Sequence, residues 1–148
     1  MLPFTAERVL LPYDFSATGD RLLRESCEHY GQQAGETRVT VLHVLSPLTS
    51  TDPGALWQTL PIEQRRKKVE AEFWQRFSSL RQFPHPPTLH VAIGEPGAMI
   101  LQQAQKENSD LIILPSHGRR GVQRLLLGSV AEMVVRCAPC PVLVVKSV

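Results

Sequence analysis

Five short apolar runs alternating with helix-like stretches constrain this 148-residue chain more than any other feature. The runs are Arg8-Val9-Leu10-Leu11-Pro12, Arg38 to Leu45, Thr88 to Ile93, Asp110 to Pro115, and Pro141 to Lys146. The first, fourth and fifth show little polar alternation, which fits strands covered on both faces. The third, Thr88-Leu89-His90-Val91-Ala92-Ile93, alternates more and fits a strand nearer a sheet edge.

Helical periodicity fills the gaps. Ala17 to Ala34 follows Ser16, a good N-cap, places Leu22, Leu23, Cys27 and Tyr30 toward one side, and stops at Gly35. Pro61 to Phe83 carries Val69, Phe73, Phe77 and Leu80 at three- and four-residue spacing, and Pro84, Pro86 and Pro87 end it. Pro96 to Glu107 spaces Met99, Ile100 and Ala104, and Ser129 to Cys137 begins at a Gly-Ser cap. Strands alternating with helices imply an α/β fold: a parallel sheet, right-handed crossovers and helices on both faces. Ser46 to Leu60, with Pro47, Pro53 and Gly54, reads as a mobile surface loop. No repeat or low-complexity tract divides the chain, so residues 1–148 are expected to form one domain.

Composition excludes several function classes. With 43% hydrophobic and 20% charged residues, the chain is not of disordered type. No apolar run approaches the roughly 20 residues that span a bilayer, so no membrane partner is expected. The first residues lack a basic start and a long apolar stretch, so no signal peptide is expected. A formal charge of +2 is too near balance to suggest nucleic acid as a partner. The Arg65-Arg66-Lys67-Lys68 run is offset by Glu63, Glu70 and Glu72, as on a solvated helix face. Cys27, Cys137 and Cys140 cannot all pair internally, and the expectation is reduced thiols in the cytoplasm.

In an open parallel sheet, ligands sit beyond the carboxyl ends of the strands. Tyr13-Asp14-Phe15-Ser16 follows the first strand, and Ser46-Pro47 the second. Ser116-His117-Gly118-Arg119-Arg120-Gly121 follows the fourth, and Gly128-Ser129 opens the last helix. A small-residue loop leading to a helix N-terminus offers N–H groups and a favourable dipole to an anion. Gly118, Gly121 and Gly128 would let the backbone approach closely, and Arg119, Arg120 and Arg124 would add charge. Neither the P-loop Gly-Lys-Ser/Thr nor the dinucleotide Gly-x-Gly-x-x-Gly is present.

Ser116-His117-Gly118, then nine residues, then Gly128-Ser129, resembles the signature of the universal stress protein family. Val130-Ala131-Glu132, the closing Ala138-Pro139-Cys140-Pro141-Val142-Leu143-Val144-Val145, Leu10 to Ser16 and Leu42-His43-Val44 resemble it in the same order. The resemblance implies a five-stranded parallel sheet of order 3-2-1-4-5, Rossmann-like in type. It also implies an adenine nucleotide, ATP with Mg or Mn, and a homodimer paired through the last strand, Val142, Leu143, Val144 and Val145. Carried over by residue, the implied nucleotide site comprises Pro12, Tyr13, Asp14, Val44, Pro115, Ser116, His117, Gly118, Arg119, Gly121, Gly128, Ser129 and Val130. In it Asp14 lies near the ribose or a phosphate-bound metal and Val44 contacts adenine. Gly118 and the loop after it face the ribose and phosphates, which Gly128, Ser129 and Val130 cradle. One departure stands out: the first Gly of the family's Gly-x-x-Gly is Pro115 here. A proline removes an N–H and sets φ near −65°, so a site needing only extended backbone tolerates it and one needing a donor or positive φ does not.

Plainer roles stand beside these. Asp14 suits a turn or helix cap as well as a ligand. His117 has the pKa range of a general base, though a loop His more often bonds or packs; His43, within an apolar strand, reads as structural. The arginines suit a solvated face equally. Cys137-Ala138-Pro139-Cys140 has redox-motif spacing but ends a helix, where the dipole does not lower a thiol pKa. The function expected is nucleotide binding in a stress-response sensing module. The alternatives are a nucleotide-free dimeric interaction protein and a slow ATP hydrolase, the latter lacking a Walker lysine and a positioned base.

Overall fold

The computed structural model describes residues 5–31, 36–45, 60–118 and 127–146. Its elements run β1 (Arg8–Pro12), α1 (Ala17–Gly31), β2 (Arg38–Leu45), α2 (Ile62–Arg76), a 3₁₀ turn (Ser78–Gln82), β3 (Thr88–Ile93), α3 (Pro96–Glu107), β4 (Leu111–Pro115), α4 (Ser129–Cys137) and β5 (Val142–Val145). The strands form one sheet in the order β3-β2-β1-β4-β5, with every pairing parallel. The expected Rossmann-like α/β fold and strand order are both present. The reversal of winding falls between β1 and β4.

Strand alternation divides the core into two layers. Val9, Leu11, Val39, Val41, Leu111 and Ile113 face α1 and α2, where Leu22, Leu23, Tyr30, Phe73 and Phe77 meet them. Leu10, Leu42, Ile112 and Leu114 face α3 and α4, against Ile100, Ala104, Ala131 and Val134. Both faces of β1 and β4 are therefore covered, which explains why their runs lack polar alternation. Leu10, Ile112 and Ile113 have no exposed surface, and truncating Leu10 to Ala would cost about 2–5 kcal/mol. β3 is an edge strand, as its alternation suggests. β5 is the opposite edge and is half-buried along its length, so its apolar run does not reflect cover on every side.

Local signals set most helix ends. The Ser16 hydroxyl accepts from the Gly19 amide at 3.0 Å and caps α1. Glu95 accepts from the amides of Gly97 and Ala98, Pro96 follows it, and Asn108 closes α3 in the left-handed conformation at φ 52°. The long second helix differs from expectation. It breaks at Phe77 (φ −124°, ψ 35°) and continues as 3₁₀. Three residues per turn put Leu80 on the same side as Phe77, and both are buried. Residues 32–35, where α1 was expected to end, and 46–59 of the expected surface loop lie outside the described residues. Among the described residues, no helix is long and apolar enough to cross a membrane.

Candidate functional site

The carboxyl ends of β1, β2 and β4 carry the residues singled out above, beside the winding reversal where open α/β sheets place ligands. β1 ends at Pro12, and the chain turns immediately. The Asp14 carboxylate accepts from the Ser16 amide at 3.0 Å through Oδ1, an Asx turn that leads into the Ser16 cap. The turn role is therefore real. It leaves Oδ2 facing the β4 loop: a Cβ added to Gly118 would stand 3.5 Å from Asp14 Oδ2.

β4 ends at Pro115, whose place in the ladder opposite Val145 is that of an extended strand residue. The next amide, Ser116, donates to Val145 at 2.8 Å. The proline thus sits where its fixed φ suits the strand, and among the described residues the only non-glycine residues with positive φ are Phe15 and Asn108. Ser116 is buried, and its hydroxyl lies 3.1 Å from His117 Nδ1.

The two halves of the motif meet. Gly128 donates its amide to the Ser116 carbonyl at 2.6 Å. A Cβ there would lie 3.3 Å from that carbonyl oxygen and 3.5 Å from His117 Cα, so a side chain would press the segments apart. Gly128 is also the N-cap of α4, in extended conformation and with no side-chain cap bond. The first N–H groups of a helix have no partner within it. Those of α4 therefore stand beside Gly118 and Asp14, with exposed Ser129 at the first helical position and half-buried Val130 packed on the α4 side of the core. Arg119, Gly121, Arg120 and Arg124 lie outside the described residues. Val44 is half-buried near the end of β2, opposite Ala92 of β3.

Tyr13 is placed differently from its neighbours in the site. Its side chain turns into the α1–α2 layer, 5% exposed, with ring centroids of Phe73 and Phe77 at 5.8 and 5.7 Å. Its hydroxyl donates to Asp20, and Arg76 reaches the same hydroxyl at 3.3 Å. Burial, reinforced by Asp20, raises the phenol's pKa, so it stays protonated. Only the main chain of Tyr13 faces the strand end.

Three residues outside the sequence-derived set hold the β1–α1 turn. Phe15 adopts φ 60°, a left-handed conformation that costs an L-residue roughly 1–2 kcal/mol. Its ring lies 4.7 Å from Tyr13 and 4.9 Å from His43, and such aromatic pairs contribute about 0.5–1.5 kcal/mol each, enough to offset the strain. Arg76 of α2 stands over the same ring at 5.3 Å and donates to the Phe15 carbonyl at 3.3 Å. His43 Nδ1 lies 2.8 Å from the Tyr13 carbonyl, an oxygen that only accepts, so Nδ1 carries the proton. Burial lowers the His43 pKa, while the Tyr13 bond and the charges of Asp14 and Glu72 oppose that shift. No local signal marks Phe15, since phenylalanine is not a left-handed former. His43 showed only as a polar residue in an apolar strand.

A uncapped helix N-terminus, a close glycine pair and one carboxylate can together hold a phosphate chain. Among the described residues, no group of three His, Cys, Asp or Glu side chains converges. Asp14 is thus the one protein carboxylate at this strand end that the resemblance assigns to a metal. Mg²⁺ is commonly held by one or two carboxylates plus substrate phosphates, so that donor set fits a metal arriving with a nucleotide.

The model of the universal stress protein family matches residues 5–146. Universal stress protein A homolog 2 of Coxiella burnetii is 48% identical over 147 residues, covering 95% of this chain and 94% of that one. A universal stress protein of Thermus aquaticus is 34% identical over 145 residues, covering 93% and 97%. Universal stress protein MJ0531 of Methanocaldococcus jannaschii is 51% identical, but over 53 residues only, so the match spans 31% of that relative. Among solved structures, the protein MJ0577 superposes with a TM-score of 0.77 at 26% identity over 96% of both chains. Two more distant structures share the fold: a family protein of Arabidopsis thaliana with AMP bound, 16% identical at a TM-score of 0.63 over 95% and 92% of the two chains, and a universal stress protein in complex with cAMP, 19% identical at 0.60 over 95% and 96%. By sequence over nearly its whole length and by strand order, the chain belongs to the universal stress protein family.

Proposed function

We propose that this protein binds an adenine nucleotide, ATP with Mg²⁺ or Mn²⁺, at the carboxyl ends of β1, β2 and β4, and serves as a sensing module in the stress response. The observation that carries this reading is the contact between Gly128 and Ser116, which sets the uncapped start of α4 beside Gly118 and Asp14. The α4 amides and the Ser129 hydroxyl bind phosphates, Gly118 leaves room for the ribose, and Asp14 holds the metal with the phosphates. Val44 lies against adenine. The AMP and cAMP in the two distant structures support an adenine ligand. The extended backbone at Pro115 supports tolerance of the missing glycine.

Calorimetric titration of nucleotide-stripped protein with MgATP tests the reading. Saturable heat of micromolar affinity, lost in Gly128→Glu, is expected. Absence of heat at millimolar ATP would overturn it and leave the nucleotide-free dimer, with Pro115→Gly the variant that restores binding.

The reading includes a homodimer paired through β5. Val142, Leu143, Val144 and Val145 form a half-exposed apolar edge, and such an edge invites a second strand about a twofold axis. Sedimentation at micromolar concentration is expected to give twice the chain mass; a monomer mass removes this part of the proposal.

A further inference from the structure

We propose that the groove at the opposite end of the sheet, across the amino ends of β1, β2 and β3, is a second ligand site that takes a small phosphate monoester. The groove has a volume of about 580 Å³, and Arg8, Arg38, Thr40, His85, His90 and Glu107 line it. That volume falls within the roughly 300–1,000 Å³ of small-molecule sites.

Strand register builds the site. Arg8 and Arg38 are direct partners across β1 and β2, Thr40 pairs with Thr88, and Leu42 with His90. Arg8 and Arg38 are each two residues before a side chain of the α3–α4 layer or its edge: Leu10 follows Arg8, and Thr40 then Leu42 follow Arg38. Alternation therefore puts both arginines, Thr40, Thr88 and His90 on that one face. Farther along the strands the same face is apolar and covered. Here α3 ends, at Glu107 and the left-handed Asn108, and the face turns polar and open.

Two arginines thus enter one groove from directly paired positions on strands about 4.8 Å apart. Like charges directly opposite each other in a sheet are destabilising. Arg8 is partly engaged: its Nε donates to the Asn108 carbonyl at 2.8 Å, and its Nη1 lies 4.0 Å from Glu7. The Arg38 and His85 side chains make no hydrogen bond or ion pair among the described residues. The Glu107 carboxylate, on the rim of the groove, accepts from Gln103 and lies 3.7 Å from His90 Nε2; among the described residues it forms no ion pair with either arginine. A guanidinium fork matches phosphate oxygens, and a dianion with three terminal oxygens spans two forks where a lone carboxylate fills one. The imidazoles, Thr40 and the Glu107 rim then offer partners to hydroxyl groups on the ligand's body.

Glucose 6-phosphate is the probe, with glucose as its uncharged counterpart, read by the imidazole NMR signals of His85 and His90. Saturable shifts with glucose 6-phosphate and none with glucose are expected. Arg38→Gln should weaken binding about tenfold, the loss of one charge-assisted hydrogen bond, and the double variant Arg8→Gln, Arg38→Gln should abolish it. Arg21→Gln, an exposed cation elsewhere, and Gly128→Glu, at the other end of the sheet, should leave the shifts unchanged. All these arginines are solvent-facing, and unchanged backbone spectra verify that the variants fold. Absence of saturation, equal shifts with glucose, or undiminished binding in the double variant would each overturn the proposal.

Discussion

The Gly128 amide donates to the Ser116 carbonyl at 2.6 Å, tying the start of α4 to the end of β4 across the segment between them. That contact leaves little room for a side chain at position 128, because a Cβ would stand 3.3 Å from the same carbonyl oxygen and the two segments would have to give by a few tenths of an ångström. Gly128→Ala should therefore cost about 1 kcal/mol and lower the melting midpoint by roughly 3 °C. The nucleotide affinity should fall with it. An unchanged midpoint by calorimetry would mean the segments yield without cost.

Arg76 and Tyr13 share Asp20, and through Phe15 they brace the turn that carries Asp14. In a double-mutant cycle, Tyr13→Phe and Arg76→Met should couple by about 0.5 kcal/mol, a modest value because the Arg76 side chain is a third exposed. Additive urea midpoints would show that the residues act independently.

His43 gives stability a pH dependence of known sign. Burial holds its folded-state pKa below the ordinary 6.5. As pH falls, the unfolded chain takes up the proton first, so stability declines from about pH 6.5 downward until the folded-state pKa is passed. His43→Asn keeps a donor for the Tyr13 carbonyl and removes the titration. Urea midpoints between about pH 7.5 and about pH 5 should fall less steeply in the variant; parallel slopes would count against this origin.

The cysteines should separate by reactivity. Burial pushes the Cys27 thiol up to about 12, and the side chain is 1% exposed, whereas Cys137 is exposed. Alkylation of native protein near neutral pH, followed by mass spectrometry, should label Cys137 first and Cys27 only after unfolding. Early labelling of Cys27 would reveal local opening of α1.

Much of the fold was legible because its signals are local. Ser16 caps α1, Pro96 opens α3, and the doubly covered β1 and β4 show as unbroken apolar runs. The spacing from Gly118 to Gly128 likewise marked a candidate site, and the structure brings those two segments together through Ser116. Legibility failed where distant segments decide the outcome. The break at Phe77 serves burial against the sheet, and Phe15 holds a left-handed conformation only because Tyr13, His43 and Arg76 surround it.

By itself, then, the sequence determined the alternation of strands and helices, the apolar faces and the family motif, since each depends on neighbours in the chain. Tertiary structure alone decided that the Tyr13 side chain faces the core rather than the carboxyl ends of the strands. It also decided that Arg8 and Arg38 stand opposite each other, 30 positions apart in the chain. Both outcomes depend on register and packing between segments, which no local pattern of residues encodes.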